Sequence, residues 1–195
     1  MAGIGRLRDF VQGMTRLADA GPDEAAFQEA GAVLLRDLVA VDDWLPPACA
    51  VPGPRYRQFL LHCDPAERFS VVSFVWGPGQ RTPIHDHLVW GLVGQLRGAE
   101  ISTEYRLGAP GTPPHPGRRD LLRPGEVALV RPGSNDIHLV ENALADAPSV
   151  SIHCYGGNIG AVRRHAFDPE TGAAQDFISG YSADMVPNLW DRSGS

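Results

Sequence analysis

Near the N-terminus, apolar residues recur at spacings of three and four. Ile4, Leu7, Phe10, Val11, Met14 and Leu17 form one stripe with charged residues between them, which predicts an amphipathic helix. Gly21 ends that pattern, and Pro22, Asp23 and Glu24 open a second one. Phe27, Val33, Leu34 and Leu38 carry the second helix to about Val39. The Pro-rich stretch DDWLPPACAVPGPR then reads as a connector.

Beyond it the pattern changes period. YRQFLLHC, FSVVSFVWG, WGLVGQLRGAEIST, EVALVRPG, DIHLVEN and SVSIHCYGG are short β-rich runs separated by Gly, Pro, Asn and Asp. Such runs at this spacing predict an antiparallel sandwich or barrel. RLGAPGTPPHPGRRD reads as a long loop between them, and the tail from Ala161 is mixed. The expectation is one mainly β domain. Residues 1–45 form an N-terminal helical cap, 46–160 an antiparallel barrel and 161–195 a C-terminal extension.

Composition narrows the function. A chain of 195 residues, 43% of them hydrophobic, can bury a sizeable core. Its formal net charge of −6 argues against nucleic acid or an anionic membrane as a partner. No run approaches the roughly 18 apolar residues of a membrane span, and the first residues lack a signal-peptide pattern. Cys49, Cys63 and Cys154 are odd in number and widely spaced, which fits a reducing compartment without a disulfide framework. A cytoplasmic protein is expected.

The histidines carry the chemistry. His62, His115 and His165 stand alone and read as ordinary surface or core residues. His85 and His87 differ, because residues two apart on a strand face the same side and can hold one metal. Gly79 precedes His85, Gly98 follows Gly91, and later His138 is followed four residues on by Asn142. These blocks resemble the paired motifs of the cupin superfamily, G-x5-H-x-H-x3/4-E-x6-G and H-x3-N. The resemblance implies an antiparallel jelly-roll barrel and a metal at His85, His87 and His138. Gly91 stands in place of the motif's glutamate. Three neutral imidazoles leave a divalent metal at full charge, which favours an anionic ligand such as a thiolate.

A third block adds to this. In SVSIHCYGG, Ser151, His153 and Tyr155 alternate onto one strand face while Cys154 takes the other. Serine, histidine and tyrosine in that order can form a hydrogen-bonded chain ending in the phenol. With VWGPGQRTPIHDH, IHLVEN and RRHAFDPETG, the sequence from Tyr56 to about Phe167 resembles the thiol dioxygenases of the cysteine dioxygenase type I family. The resemblance implies Fe(II) on His85, His87 and His138, and a catalytic triad of Ser151, His153 and Tyr155. It also implies a reaction that adds O2 to a thiol sulfur to give a sulfinate.

The branch is read from what differs. The mammalian cysteine enzymes grip the substrate carboxylate with an Arg two residues after a Tyr; Gln58 holds that place after Tyr56. They also cross-link a Cys to the catalytic Tyr, and Gly91 fills the place of that Cys. Gln58, Gly91 and GGNIGAVRRH are similar to bacterial 3-mercaptopropionate dioxygenases, which implies substrate binding by Arg164 and Gln58. The partners expected are a small carboxylated thiol and O2, with surfaces available for self-association. L-cysteine dioxygenation, a cupin enzyme of carbon substrates and a non-catalytic metal-binding cupin are the alternatives.

Overall fold

The computed structural model describes residues 3–182. Helices α1 (Gly5–Ala20) and α2 (Glu24–Val39) stand where the apolar stripes predict them. Gly21 takes a left-handed φ of 60° and donates its N–H to Leu17, which ends α1. Asp23 caps α2 by accepting from the Ala26 N–H at 2.8 Å. Val33 belongs to the predicted apolar stripe but is 54% exposed, so it lies on the solvent side of α2. Among the described residues, no helix is long and apolar enough to cross a membrane.

Eleven strands follow among the described residues: β1 (Arg57–Cys63), β2 (Ser70–Trp76), β3 (Ile84–His85), β4 (Gly91–Arg97), β5 (Glu100–Arg106), β6 (His115–Leu122), β7 (Val127–Val130), β8 (His138–Asn142), β9 (Ser149–Tyr155), β10 (Arg164–Phe167) and β11 (Ala174–Phe177). They pair antiparallel into two sheets, in the orders β1-β2-β9-β4-β7 and β11-β10-β3-β8-β5-β6. The chain is thus mainly β, an antiparallel barrel with a helical N-terminus, as the sequence predicts.

The first sheet is covered on both faces. Val71 and Val75 of β2 and Val150, Ile152 and Cys154 of β9 join the helices in one buried cluster. Val72, Phe74 and Trp76 of β2 and Tyr155 of β9 point the other way, where Val140 of the second sheet meets them. This double burial explains why β2 and β9 read as continuous rather than alternating apolar runs. Two glycines let α2 lie close on the sheet. A Cβ on Gly31 would come within 2.9 Å of Leu92, and one on Gly94 within 2.9 Å of Leu35 and Val39. Burying this apolar interface is the main term holding the cap in place.

Two regions depart from the expected boundaries. The stretch expected as a loop becomes strand β6 from His115 onward, pairing with β5 at the sheet edge. Nearly every β6 side chain is exposed, so no hydrophobic alternation marks it, and Pro116 is tolerated there because one edge of the strand is unpaired. The expected C-terminal extension supplies β10 and β11, which enlarge the second sheet through pairing of β10 with β3. These strands have four residues each, too short for period-two patterning to show. The part of that extension beyond residue 182 lies outside the described residues.

The β1–β2 turn is locked by Asp64. Its carboxylate accepts two bonds from the Arg68 guanidinium, at 2.9 and 2.8 Å, and two from the backbone N–H groups of Ala66 and Arg68, at 3.0 and 3.3 Å. The Arg68 side chain, more than any other group, holds the Asp64 carboxyl down to about 2. A carboxyl depressed on folding stabilises the folded state above its unfolded value, near 3.9, and loses that contribution as pH falls through the folded value. Asp64→Asn should therefore lower stability by about 2 kcal/mol at neutral pH. It should also flatten the acid limb of unfolding between about pH 4 and 2, measured by denaturant titration across pH.

Candidate metal centre

His85, His87 and His138 converge inside the barrel. His85 and His138 are register partners across β3 and β8, and His87 lies two residues beyond His85. One ligating atom of each lies within 4.8 Å of the others, and all three side chains are buried. Among the described residues, no carboxylate joins this group. One ion with bonds of about 2 Å would draw the rings together by small side-chain movements.

The second nitrogen of each ring is already engaged. His85 Nδ1 lies 3.1 Å from the Pro83 carbonyl oxygen. His87 Nδ1 lies 3.2 Å from Asp136 Oδ1 and 3.3 Å from the Asp136 carbonyl oxygen. Those partners only accept, so both rings must carry hydrogen on Nδ1, which leaves Nε2 as the nitrogen available to a metal. His138 Nδ1 meets Ser102 Oγ at 3.1 Å. Burial, and then the neighbouring imidazoles, hold His85 and His138 well below the usual histidine range. Buried and oriented imidazoles fit a divalent transition metal.

The loop around His87 is held by the segment that leads into β8. Asp136 accepts from the His87 N–H at 2.9 Å and from the Leu88 N–H at 3.2 Å. These bonds help hold Leu88 at a φ of +59°, an unusual conformation for a leucine. Asp86, between the two ligands, accepts from the His165 N–H at 2.8 Å and lies 2.7 Å from His165 Nδ1. This joins β3 to β10. Asn142 donates to the carbonyls of Trp76, Gly77 and Ala147, so the last residue of the second motif is structural.

His153 and Tyr155 line the same space, and Ser151 stands behind His153. Ser151 Oγ lies 2.8 Å from His153 Nε2, and His153 Nδ1 lies 2.8 Å from the Tyr155 hydroxyl. The Tyr155 ring stacks beside His87, with centroids 5.4 Å apart. Burial raises the phenol above its ordinary range and holds His153 down at about 3, so both are neutral. Cys154 faces the helices, where burial raises its thiol. Gly91 pairs in register with Tyr155, and a Cβ there would sit 3.0 Å from ring atoms Cδ1 and Cε1.

Arg164 and Gln58 border this cavity too, with Tyr56, Phe74 and Trp76 as an aromatic wall. The free space among these groups is about 30 Å³. Arg164 is 4% exposed. It donates to Ser179 Oγ at 2.7 Å and lies over the Phe177 ring, while its Nε has no hydrogen-bond partner. Among the described residues no carboxylate forms an ion pair with it. The Gln58 side-chain amide donates to the Gly180 carbonyl. Arg57 lies over Phe59 on the opposite face of β1, as alternation predicts.

The structure therefore brings together all eight side chains that the sequence singled out. Sequence reasoning missed Asp86, Asp136, Ser102 and His165. Asp86 and Asp136 were visible as acids beside the motif histidines; nothing marked Ser102. Replacing Asp136 with Ala should lower divalent-metal affinity about 10–100-fold, because it frees His87 and the Leu88 turn together. Titration against a chelator checks this, with circular dichroism to verify the fold.

No family model matches the chain. Solved structures resemble it at the level of the barrel. A double-stranded β-helix protein from Klebsiella pneumoniae is 17% identical, with 67% of this chain and 91% of that one covered and a TM-score of 0.42. A Cupin 2 conserved barrel domain protein from Salinispora arenicola is 18% identical, with 57% and 83% covered and a TM-score of 0.42. A cupin-like protein from Thermotoga maritima is 22% identical, with 51% and 67% covered and a TM-score of 0.39.

Proposed function

We propose that this protein is an Fe(II)-dependent thiol dioxygenase that converts 3-mercaptopropionate to 3-sulfinopropionate. One juxtaposition carries the reading. A buried Arg164 guanidinium with an unpartnered Nε shares a narrow cavity with three imidazoles and the Tyr155 hydroxyl. An unpaired buried cation is costly, and a carboxylate is the ligand that relieves it. Neutral ligands at the other end favour a second anion. A short thiol with a carboxylate offers one anionic group to each. The sequence resemblance to thiol dioxygenases supports iron as the metal.

Bound iron would supply a Lewis-acidic, redox-active centre at which a thiolate and O2 react. The chain does the rest. Arg164 holds the substrate carboxylate, in the bidentate fork that guanidinium geometry favours. Tyr155 offers its hydroxyl to that carboxylate or to a water beside it. His153 and Ser151 fix the direction of the phenol. Tyr56, Phe74 and Trp76 exclude bulk water from the cavity. Gln58 is neutral and tied to Gly180, so it adds no charge at the carboxylate end. Both atoms of O2 add to sulfur, and the thiol supplies the electrons, so no external reductant is consumed.

Iron-loaded protein should consume O2 with 3-mercaptopropionate at a higher kcat/KM than with L-cysteine or cysteamine. Mass spectrometry should identify the sulfinate. Preference for L-cysteine would assign the other branch, and no uptake with any of the three would leave a metal-binding barrel. Arg164→Ala should weaken 3-mercaptopropionate by roughly 2–4 kcal/mol in kcat/KM, mostly through KM, while cysteamine changes little. Tyr155→Phe should keep stoichiometric iron while kcat falls on the order of 100-fold.

A further inference from the structure

The Ser151–His153–Tyr155 ladder does not end at Ser151. Glu100, the first residue of β5, is 2% exposed and stands behind it. Its Oε1 accepts from Ser149 Oγ at 3.1 Å and from Gln95 Nε2 at 3.4 Å. Its Oε2 is buried with no hydrogen-bond partner. Ser151 and Trp76 lie close enough to the carboxyl for their polar hydrogens to favour its ionised form. Trp76 Nε1 also donates to Ser151 Oγ at 3.4 Å. Glu100 borders a second cavity of about 400 Å³, which His138 also lines, through which it can exchange a proton with solvent.

We propose that Glu100 is a positioning residue that sets the hydrogen-bond polarity of the ladder. Tyr155 offers a hydrogen to the metal cavity when Glu100 is protonated, and a lone pair when Glu100 is ionised.

The argument follows donors and acceptors along the chain. Oε1 already accepts twice, so an added proton resides on Oε2. A protonated Oε2 donates to Ser151, Ser151 then donates to His153 Nε2, and His153 carries its hydrogen on Nδ1. Nδ1–H donates to the phenol oxygen, and the phenol hydrogen is free for the cavity. An ionised Oε2 instead accepts from Ser151. Ser151 accepts from His153 Nε2–H, and Nδ1 accepts the phenol hydrogen. Ser151 can keep its bond from Trp76 in both states, because the hydroxyl oxygen has two acceptor sites. Only the tautomer of a neutral imidazole changes.

The conditions for such a switch are met. Burial pushes the Glu100 carboxyl up to about 7, and the polar hydrogens of Ser151, Ser149, Gln95 and Trp76 around it oppose that rise. His153 stays neutral through that range. The titratable and charged groups facing Glu100 are His153 through the ladder, Glu104 on its own strand, Arg118 and Asp120 on β6, Arg131 after β7 and His138 on β8. Desolvation outweighs them as the cause of the raised value. The consequence for turnover rests on the proposed thiol oxidation; the polarity change itself does not.

The test reads the His153 tautomer in metal-free, full-length protein by imidazole 15N chemical shifts from pH 5 to 9. Wild-type protein should pass from the Nδ1–H to the Nε2–H form around neutral pH. Infrared difference spectra should show one carboxyl losing its proton over the same range. In Glu100→Gln, the amide nitrogen takes the place of Oε2 and donates to Ser151. This variant should stay Nδ1–H at every pH and lose the infrared signal. Ser151→Ala should keep the infrared signal while the tautomer no longer follows it. A wild-type tautomer that does not change with pH, or one that titrates unchanged in Glu100→Gln, would overturn the proposal. In iron-loaded enzyme, kcat/KM should lose a limb near neutral pH in Glu100→Gln; a retained limb counts against Glu100. Absence of thiol turnover alongside an intact tautomer switch would sink the proposed activity alone.

Discussion

A polar ladder runs along a strand that has solvent on neither face, and the rest of the molecule is arranged around that fact. Every residue of β9 is buried. Its outward side chains, Val150, Ile152 and Cys154, need an apolar cover, which α1 and α2 provide. Its inward side chains, Ser149, Ser151, His153 and Tyr155, need hydrogen-bond partners. An unsatisfied polar group there would cost about 1–3 kcal/mol. They find partners in one another and in Glu100. The helical cap and the polar site are thus two answers to one problem, the burial of a central strand.

The same low-dielectric interior governs the imidazoles. Charging a ring there is penalised, so His85 and His138 remain neutral. Neutrality alone leaves a lone pair on either nitrogen. The acceptors Pro83 and Asp136 remove that freedom for His85 and His87 by taking the Nδ1 hydrogen. Asp136 does so from the segment that leads into β8, the neighbour of β3, and it also holds the backbone of His87 and Leu88. A carboxylate is therefore present beside the site, but it serves the ligand's other nitrogen. The charge that a fourth, acidic ligand would bring is left to whatever binds.

Legibility in the sequence followed the length and burial of each element. The helices and the long strands announced themselves, because each buries a periodic face. His85, His87 and His138 were readable from spacing, and Ser151, His153 and Tyr155 from strand alternation. β6 was not readable, since an exposed edge strand has no hydrophobic pattern to display. Nor were β10 and β11, whose strand state comes from pairing with β3 and with each other. Arg164 sits on β10, so its place in the cavity came from resemblance and not from any local pattern. Ser102 and Glu100 lay beyond sequence reasoning for a related reason. Each meets its partner only in the folded barrel, through contacts between residues 36 and 49 positions apart.

Gly91 links the metal site to the ladder. Its φ is not one that demands glycine, so the reason for a glycine is space. Tyr155 lies directly across the β4–β9 pair, and a Cβ at position 91 would press on the ring at 3.0 Å. The ring is also fixed on its other side by stacking against His87. A side chain at 91 would have to move a phenol that is hydrogen-bonded to His153 and stacked on a proposed metal ligand. The tyrosine is therefore positioned by absence on one face and by packing on the other. Its only adjustable feature is the direction of its hydroxyl hydrogen, and that direction is what the ladder behind it controls.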